Sequence, residues 1–439
     1  MSFPQVDSLK GLEDHVETKV TVAVVGGGPG GASVACHLAN AGVDVLVLEK
    51  AEYPREKVCG DGLTPAAVRE ILAMGINPRL EDGWMFNRGL TVIGGGHEIF
   101  LPWTNSVDLP EYGMARQRTE LDLRLILQAV SAGARLRTGA NVLGVLTDDD
   151  GRVTGVEVQA RRDGRIAGRY QVHAEYVVDC GGVAARVATG YGIEKRPDRP
   201  IAVAARAYFR SPRGDEDWME SHLELWSGKR NASELLPGYG WVFPLGNGLV
   251  NVGLGSVSST AQATKINYRQ VFKTWVDNLP EEWGISSETQ VGQMRSAALP
   301  MAINRKPIYR RGLVLVGDAA GLVSPFNGEG ISSALTSGRI AAEQIIQALG
   351  RRDSRAAHAA MNLYTQRVLD EYGSYYNLGR IFVKLIENPR IMHFCTKYGL
   401  DKPHLMIWVH KLLSDGFARE GGDVYDRIIQ LMCRLAPRG

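Results

Sequence analysis

The run at residues 19–50, KVTVAVVGGGPGGASVACHLANAGVDVLVLEK, constrains this chain more than any other. Val20, Val22, Val24 and Val25 are β-branched and apolar, as a strand buried on both faces requires. Gly26-Gly27-Gly28-Pro29-Gly30-Gly31 follows, with Gly26, Gly28 and Gly31 spaced as G-x-G-x-x-G. The first glycine permits a tight turn. The second lets backbone approach a pyrophosphate, and the third lets the next helix pack close to the sheet. Pro29 and Gly30 fall where that helix begins, and its free N–H groups offer partial positive charge to phosphates. Gly42 fits the helix end. Residues 43–48 read as a second strand, ending at Glu49 and Lys50. A carboxylate at Glu49 can take both hydroxyls of an adenosine ribose and repel a 2′-phosphate. The pattern predicts a dinucleotide site formed by Gly26, Gly28, Pro29, Gly30, Gly31, Glu49 and Lys50. A glycine-rich turn with no ligand is the bland alternative, and this stretch alone does not separate FAD from NAD.

At 439 residues the chain can build two or three domains with sizeable cores. A net charge of +2 offers no electrostatic case for nucleic acid. Cys36, Cys59, Cys180, Cys395 and Cys433 are widely spaced, with no C-x-x-C pair. That argues against a disulfide framework or a zinc site, and for a reducing, cytoplasmic setting. Residues 1–18 lack the basic-then-apolar order of a signal peptide. Residues 20–43 are nearly uncharged, but their glycines and Pro29 fit the nucleotide turn better than a membrane span.

Beyond Lys50, Cys59-Gly60-Asp61-Gly62 marks a loop that passes close to something. Thr64-Pro65 then caps a helix over residues 66–74. Residues 88–101 look like a short strand or hairpin outside the nucleotide fold. Residues 118–130 have helical spacing, and residues 134–138 open a β pattern. Strands at 142–146, 153–159 and 169–173 form a meander, followed by a buried strand at 176–179. Residues 201–257 are strand-rich, at 202–210, 222–226, 241–245 and 249–254, and read as a separate antiparallel sheet. Residues 266–279 form an amphipathic helix, and the chain is helical from Gly330 to its end. The fold class is therefore α/β with an α+β insertion. A discontinuous Rossmann-like domain (19–82, 114–198 and 296–349) holds the nucleotide. A β-sheet substrate domain (83–113 and 199–295) is inserted into it, and a helical C-terminal region (350–439) completes the chain.

A second corner lies far downstream: Val316-Gly317-Asp318-Ala319-Ala320-Gly321, then Ser324-Pro325-Phe326-Asn327-Gly328-Glu329-Gly330-Ile331. A buried strand ends in Gly-Asp, whose carboxylate can accept from a polyol hydroxyl. The turn then opens a helix whose N–H groups can stabilise negative charge on a reduced flavin. A structural turn is the bland alternative, but paired with the first corner it points to FAD. These two corners resemble the p-hydroxybenzoate hydroxylase class of flavoproteins. Within that class, Val58-Cys59-Gly60-Asp61-Gly62-Leu63-Thr64-Pro65 resembles the Cys-Gly loop of the geranylgeranyl reductase family. Tyr239-Gly240-Trp241-Val242-Phe243-Pro244 resembles that family's Tyr-x-Trp-x-Phe-Pro motif. Residues 236–254, with Glu282-Trp283-Gly284 and Asn327-Gly328-Glu329-Gly330, are most similar to its actinobacterial menaquinone-reducing branch. The resemblance spans residues 20–341.

It implies an FAD-dependent oxidoreductase that saturates a C=C bond in a polyprenyl chain, either a menaquinone side chain or a geranylgeranyl lipid. It implies that Glu49 binds the adenosine ribose, that Cys59 and Gly60 lie by the flavin, and that Arg118 contacts the phosphate or ribityl region. The Val142 backbone would meet the adenine, Asp318 would hold the ribityl chain, and Gly330 with Ile331 would hold the ring edge. Without the family, Arg118 reads equally as a salt-bridged helix-start residue and Cys59 as a buried spectator. Hydroxylases of the class carry Ala-Asp-Gly where this chain has Cys180-Gly181-Gly182. That departure places direct NADPH use in doubt and leaves the electron donor unknown, with another protein or a reduced quinone as candidates.

Tyr239, Trp241 and Phe243 alternate along one strand and so share one face. That face suits a long apolar substrate, or else is ordinary sheet core. Cys59, Tyr239 and Trp241 are the candidate catalytic residues. From Arg380 the chain holds ten Lys/Arg against six Asp/Glu. Leu405-Met406-Ile407-Trp408-Val409 with Leu412-Leu413 reads as an apolar helix, with Trp408 and Lys411 near its edge. Burial over the active site is favoured there over a surface-lying membrane helix. A lipid-tailed substrate still implies peripheral contact with the inner face of the cell membrane. The competing function is a flavin-dependent monooxygenase or halogenase tailoring an aromatic natural product. Halogenases of the class carry Trp-x-Trp-x-Ile-Pro at the aromatic strand, and hydroxylases need the aspartate missing at Gly181. A non-catalytic flavin-binding protein is the third reading.

Overall fold

The computed structural model describes residues 19–103, 108–257 and 267–437. The reading of residues 1–18 and the predicted helix start at Ile266 lie outside the described residues.

The valine-rich strand forms over Lys19–Val25 and lies at the centre of a parallel layer. On one side it pairs with Val45–Leu48, which pairs in turn with Arg135–Arg137. On the other it pairs with Arg165–Asp179, which pairs with Leu313–Leu315. Every residue of Val45–Leu48 and Leu313–Leu315 is buried, so these strands are apolar throughout rather than alternating. Strands far apart in sequence thus end side by side, and their C-terminal ends carry both glycine corners. The helix Pro29–Asn40 packs against the layer, between Arg118–Ser131 and Ile331–Leu349.

The meander is Ala140–Thr147, Val153–Arg162 and Arg165–Asp179. Residues 169–173 and 176–179 are one continuous strand, not the two expected. Its first half is exposed and antiparallel, and its last half is buried and parallel. The polar-to-apolar switch at Glu175 made one strand look like two. Thr64 stands at the N-cap of Pro65–Ala73 as predicted, but its side chain makes no capping hydrogen bond.

A second sheet of seven strands runs Gln290–Pro300, Ile201–Arg210, Leu249–Val257, Tyr239–Gly246, Met219–His222, Gly89–Gly94 and His97–Pro102. Its pairings are antiparallel except that between Met219–His222 and Gly89–Gly94. Residues 222–226 do not form one strand: Leu225–Trp226 leaves to pair with Leu235–Leu236. The edge strand Gln290–Pro300 was not expected, because most of its residues are at least partly exposed and it lacks a sustained apolar alternation. The helix predicted at 266–279 is described over Tyr268–Asp277 and packs Phe272, Trp275 and Val276 into this sheet's core.

The C-terminal region is helical as expected, at Ser354–Ile386, Pro389–Gly399, Pro403–Leu413 and Val424–Leu435. Its long first helix fastens the second corner through tyrosine hydroxyls. Tyr364 donates to the Leu315 carbonyl at 2.7 Å and Tyr376 to that of Leu322 at 2.8 Å. No helix among the described residues is long and apolar enough to cross a membrane.

A Cβ added at Gly31 would overlap the Gly26 carbonyl oxygen, so Gly31→Ala must push the helix off its strand. The variant is expected to lose about 2–3 kcal/mol of stability. Thermal unfolding of the purified protein checks this, and an unchanged midpoint would show that the turn has slack.

Candidate active site

At the first corner, Gly26 turns the chain with a φ of +97°. The turn is held from behind. Glu49 accepts from the Gly27 N–H at 2.8 Å and the Ala51 N–H at 3.0 Å, while the Tyr53 hydroxyl donates to the Gly27 carbonyl at 2.6 Å. In front of Gly28 stand two arginines joined by one carboxylate. Arg118 grips Asp122 with two hydrogen bonds of 2.7 and 2.9 Å, and Arg55 approaches the same carboxylate at 2.8 Å and Glu49 at 3.7 Å. Burial opposes the charge on Arg118, but the Asp122 carboxylate outweighs it and raises its pKa. Both guanidinium groups therefore stay charged beside a helix N-terminus, an arrangement suited to a diphosphate.

At the second corner, Gly317 has a φ of +60° and Asp318 follows it. Lys57 lies 3.9 Å from the Asp318 carboxylate. Gly330 opens the helix Ile331–Leu349, and a Cβ there would come within 3.3 Å of Asp318 Oδ1. The corner's carboxylate and the helix start therefore face one spot.

One continuous cavity of about 790 Å³ touches both corners. Gly26, Gly28, Pro29, Gly30, Glu49, Lys50, Cys59, Gly60, Arg118, Val142, Tyr239, Trp241, Asp318, Gly330 and Ile331 all line it. Gly31, packed inward against Gly26, is the predicted site residue that does not.

The loop at Cys59 passes close to the aromatic strand. A Cβ on Gly60 would lie 3.3 Å from Phe243 and 3.4 Å from Trp241 Nε1. Tyr239, Trp241 and Phe243 do share a face, with successive ring centroids 5.9 and 6.1 Å apart. Their polar edges are engaged elsewhere. Tyr239 donates to the Asn327 carbonyl, and the Trp241 indole N–H donates to Asn251 Oδ1 at 3.0 Å. The Trp241 indole lies over Gly253, where a Cβ would overlap it. Burial pushes the Tyr239 hydroxyl up to about 12, so it keeps its proton. Burial also raises the Cys59 thiol, with Arg118 opposing it, and the Asp61 N–H donates to its sulfur at 3.3 Å.

Asp61, in the same loop, was not singled out from sequence. It is fully buried with a φ of 65°. Its carboxylate accepts from Tyr208 Oη at 2.7 Å, Asn251 Nδ2 at 2.8 Å and the Arg118 N–H at 3.2 Å. Asn251 also donates to the Cys59 carbonyl at 2.8 Å. One carboxylate thus ties the Cys59 loop, the helix that carries Arg118 and the sheet that carries Trp241. Arg55 was also missed. The Arg118–Asp122 pair had a readable signal in its i, i+4 spacing.

The departure at Cys180-Gly181-Gly182 has a structural counterpart. The neighbouring Asp179 is fully buried and accepts from the Gly181 N–H at 2.8 Å and the Ala188 N–H at 2.9 Å. A Cβ at Gly181 would come within 2.9 Å of that carboxylate.

Beyond the aromatic strand the cavity wall is mainly apolar. Leu90, Val92, Leu101, Phe382, Met406 and Trp408 belong to it. His410 stacks on Trp103 at 5.3 Å, and burial pulls its pKa down to about 4, so it too is uncharged. The helix Pro403–Leu413 therefore closes the site, as favoured from sequence. Lys411 is not at its surface edge: it is buried, 2.6 Å from Asp423 and 2.9 Å from Asp426.

Residues 19–367 match the family described as FAD binding domain. Menaquinone reductase of Mycolicibacterium smegmatis is 33% identical, over 94% of this chain and 96% of that protein. Digeranylgeranylglycerophospholipid reductase 1 of Methanopyrus kandleri is 31% identical, over 83% of this chain and 90% of that one. The chain is an FAD-dependent oxidoreductase of the geranylgeranyl reductase family. A solved geranylgeranyl bacteriochlorophyll reductase-like protein from Thermoplasma acidophilum shares the flavoprotein's fold, with a TM-score of 0.74 at 21% identity over 95% of this chain and all of that one. A flavin-dependent brominase superposes nearly as well, with a TM-score of 0.73 at 21% identity over 95% of this chain and 99% of that one. These likenesses show the fold alone. The residues present fit FAD: the buried Arg55 Nε makes no hydrogen bond among the described residues, only a 3.7 Å ion pair with Glu49, and Arg55 lines the cavity beside the Gly28 turn.

Burial raises the Asp61 carboxyl from the ordinary 3.8 to about 6, against the hydrogen bonds from Tyr208 and Asn251 that lower it. A folded-state pKa above the unfolded one means the native state binds more protons. Stability from this group is full below about pH 4 and is lost as pH rises through 6, by up to about 3 kcal/mol. Asp61→Asn removes that slope. Urea unfolding of both proteins between pH 4 and 7 checks the difference, which should change across this window and be flat above it.

Proposed function

We propose that this flavoprotein reduces an isolated carbon–carbon double bond in the prenyl chain of a lipid, either a menaquinone side chain or a geranylgeranyl lipid. The observation that carries this reading is the continuity of the cavity. The groups suited to FAD open directly into an apolar chamber faced by Tyr239, Trp241 and Phe243. The relatives named as menaquinone and digeranylgeranylglycerophospholipid reductases support it.

In this reading Glu49 binds the adenosine ribose and the Val142 backbone meets the adenine. The Gly28 turn, Arg55 and Arg118 take the diphosphate, Asp318 takes the ribityl chain, and Gly330 with Ile331 presents a helix N-terminus to the ring edge. FAD, once bound and reduced, would supply a hydride to one alkene carbon. The chain's own residues do the rest. The apolar wall excludes water and aligns an extended chain. With their polar edges bonded elsewhere, Tyr239 and Trp241 offer ring faces to the positive charge that develops on an unactivated alkene. Cys59, in the loop that passes the aromatic strand, keeps its thiol proton through burial and donates it to the second alkene carbon. The replacement of the class aspartate by Gly181 favours a donor other than NADPH, either a protein or a quinol.

The test is to reduce the purified yellow protein without oxygen and offer menaquinones and geranylgeranyl lipids. A gain of two mass units in the lipid supports the reading, and an oxygen- or halide-dependent product overturns it in favour of a monooxygenase or halogenase. Trp241→Ala is expected to keep FAD and lose about tenfold or more in turnover, the scale of one desolvated cation–π contact. Cys59→Ala should lower turnover and remove any thiol step from the pH–rate profile. Full activity in either variant removes that residue's role.

A further inference from the structure

The last helix carries a surface that the active site does not use. Val424–Leu435 buries Asp426, Ile429 and Cys433 against the protein. On its other side Val424, Ile428, Leu431 and Leu435 are 62, 44, 55 and 74% exposed. Their spacing of four, three and four residues makes one continuous stripe along the helix. Asp426 is buried against Lys411, and Asp423, 49% exposed, pairs with the same lysine, while Arg427 and Arg434 are exposed beside the stripe. This is the pattern of a helix lying in a lipid interface.

The stripe adjoins the mouth of the cavity. Leu385, Ile391 and Leu405 line the cavity and are also exposed, so the apolar chamber reaches solvent there. His404, next to Leu405, is hydrogen-bonded at 2.7 Å to Tyr425, next to Val424. Exposed Phe394 and Tyr398 extend the apolar rim, and exposed Lys384, Arg390 and Lys397 give it positive charge.

We propose that the helix Val424–Leu435 and this rim dock the protein on an anionic lipid bilayer, with the cavity mouth against the membrane. The occupant is a bilayer rather than a second copy because two such faces would bring like-charged arginines together, whereas anionic headgroups complement them. The inference deepens the prenyl-lipid reading and rests on it only for its purpose: a chain dissolved in the bilayer enters the chamber without crossing water.

The test uses the full-length FAD-loaded protein with two kinds of vesicle, phosphatidylcholine alone and phosphatidylcholine with about one-third phosphatidylglycerol. Wild type should sediment with the anionic vesicles and be released by salt. Ile428→Asp combined with Leu431→Asp should weaken that binding about tenfold or more. It should leave flavin absorbance, thermal midpoint and turnover of a detergent-dispersed prenyl substrate unchanged. Arg427→Glu with Arg434→Glu, which disturbs no packing, should lose the preference for anionic vesicles. Wild type that ignores vesicles, or variants that bind like wild type, overturns the proposal. So does a concentration-dependent dimer in light scattering that the Ile428/Leu431 variant dissolves. Vesicle binding without reduction of any prenyl lipid would sink the catalytic reading and leave the docking face standing.

Discussion

Everything at this site depends on the close approach of two helices, Pro29–Asn40 and Ile331–Leu349. A Cβ on Gly338 would come within 2.7 Å of the Gly30 carbonyl oxygen, and one on Gly30 within 2.9 Å of Val316 Cγ1. Ser33 donates to the Leu335 carbonyl at 2.7 Å, across about three hundred residues of chain. Larger residues here would separate the helices and, with them, the two glycine corners. The corners belong to one cofactor site only because backbone meets backbone at this crossing. The long helix Ser354–Ile386 then holds the second corner through the tyrosine hydroxyls on Leu315 and Leu322.

Asp61 solves a related problem for the inserted sheet. Between two domains a buried carboxylate is expensive unless all its acceptor sites are used. Here its donors come from three places: the Arg118 backbone, Tyr208 and Asn251. The left-handed backbone at Asp61 aims the carboxylate inward while leaving Cys59 and Gly60 against the aromatic strip. Asn251 passes the constraint on, since its carbonyl holds the Trp241 indole. The loop and the aromatic face are therefore positioned by one hydrogen-bonded unit. Mutational effects at Asp61, Asn251 and Trp241 should be strongly non-additive.

The glycine corners were legible because their spacing encodes backbone geometry directly, and so were the buried parallel strands with their unbroken apolar runs. The alternation Tyr239-x-Trp241-x-Phe243 likewise fixed a shared face, since strand period admits no other arrangement. What was not legible depends on partners far away in sequence. Arg55 and Asp61 carry no local pattern; each acquires meaning from residues that only the fold brings near. The strand Gln290–Pro300 forms at a sheet edge where half-exposed residues suffice, so its composition hides it. Residues 169–179 misled because one strand passes from solvent to core midway.

The two C-terminal helices show why apolar content alone is a poor guide to membrane contact. Pro403–Leu413 is the more apolar sequence, and it was the one weighed as a surface-lying segment. Its apolar side chains are largely turned to the cavity and the core, and even its lysine is withdrawn from solvent into a pair of aspartates. That lysine neutralises Asp426 and pairs with the half-exposed N-cap Asp423, while Arg427 and Arg434 face outward beside the aliphatic stripe. Lys411 thus links the closing of the chamber to the sign of the adjoining surface. Removing its charge would leave two carboxylates held by their reciprocal capping hydrogen bonds but without a cation, weakening at once the wall of the site and the positive character of the face beside its mouth.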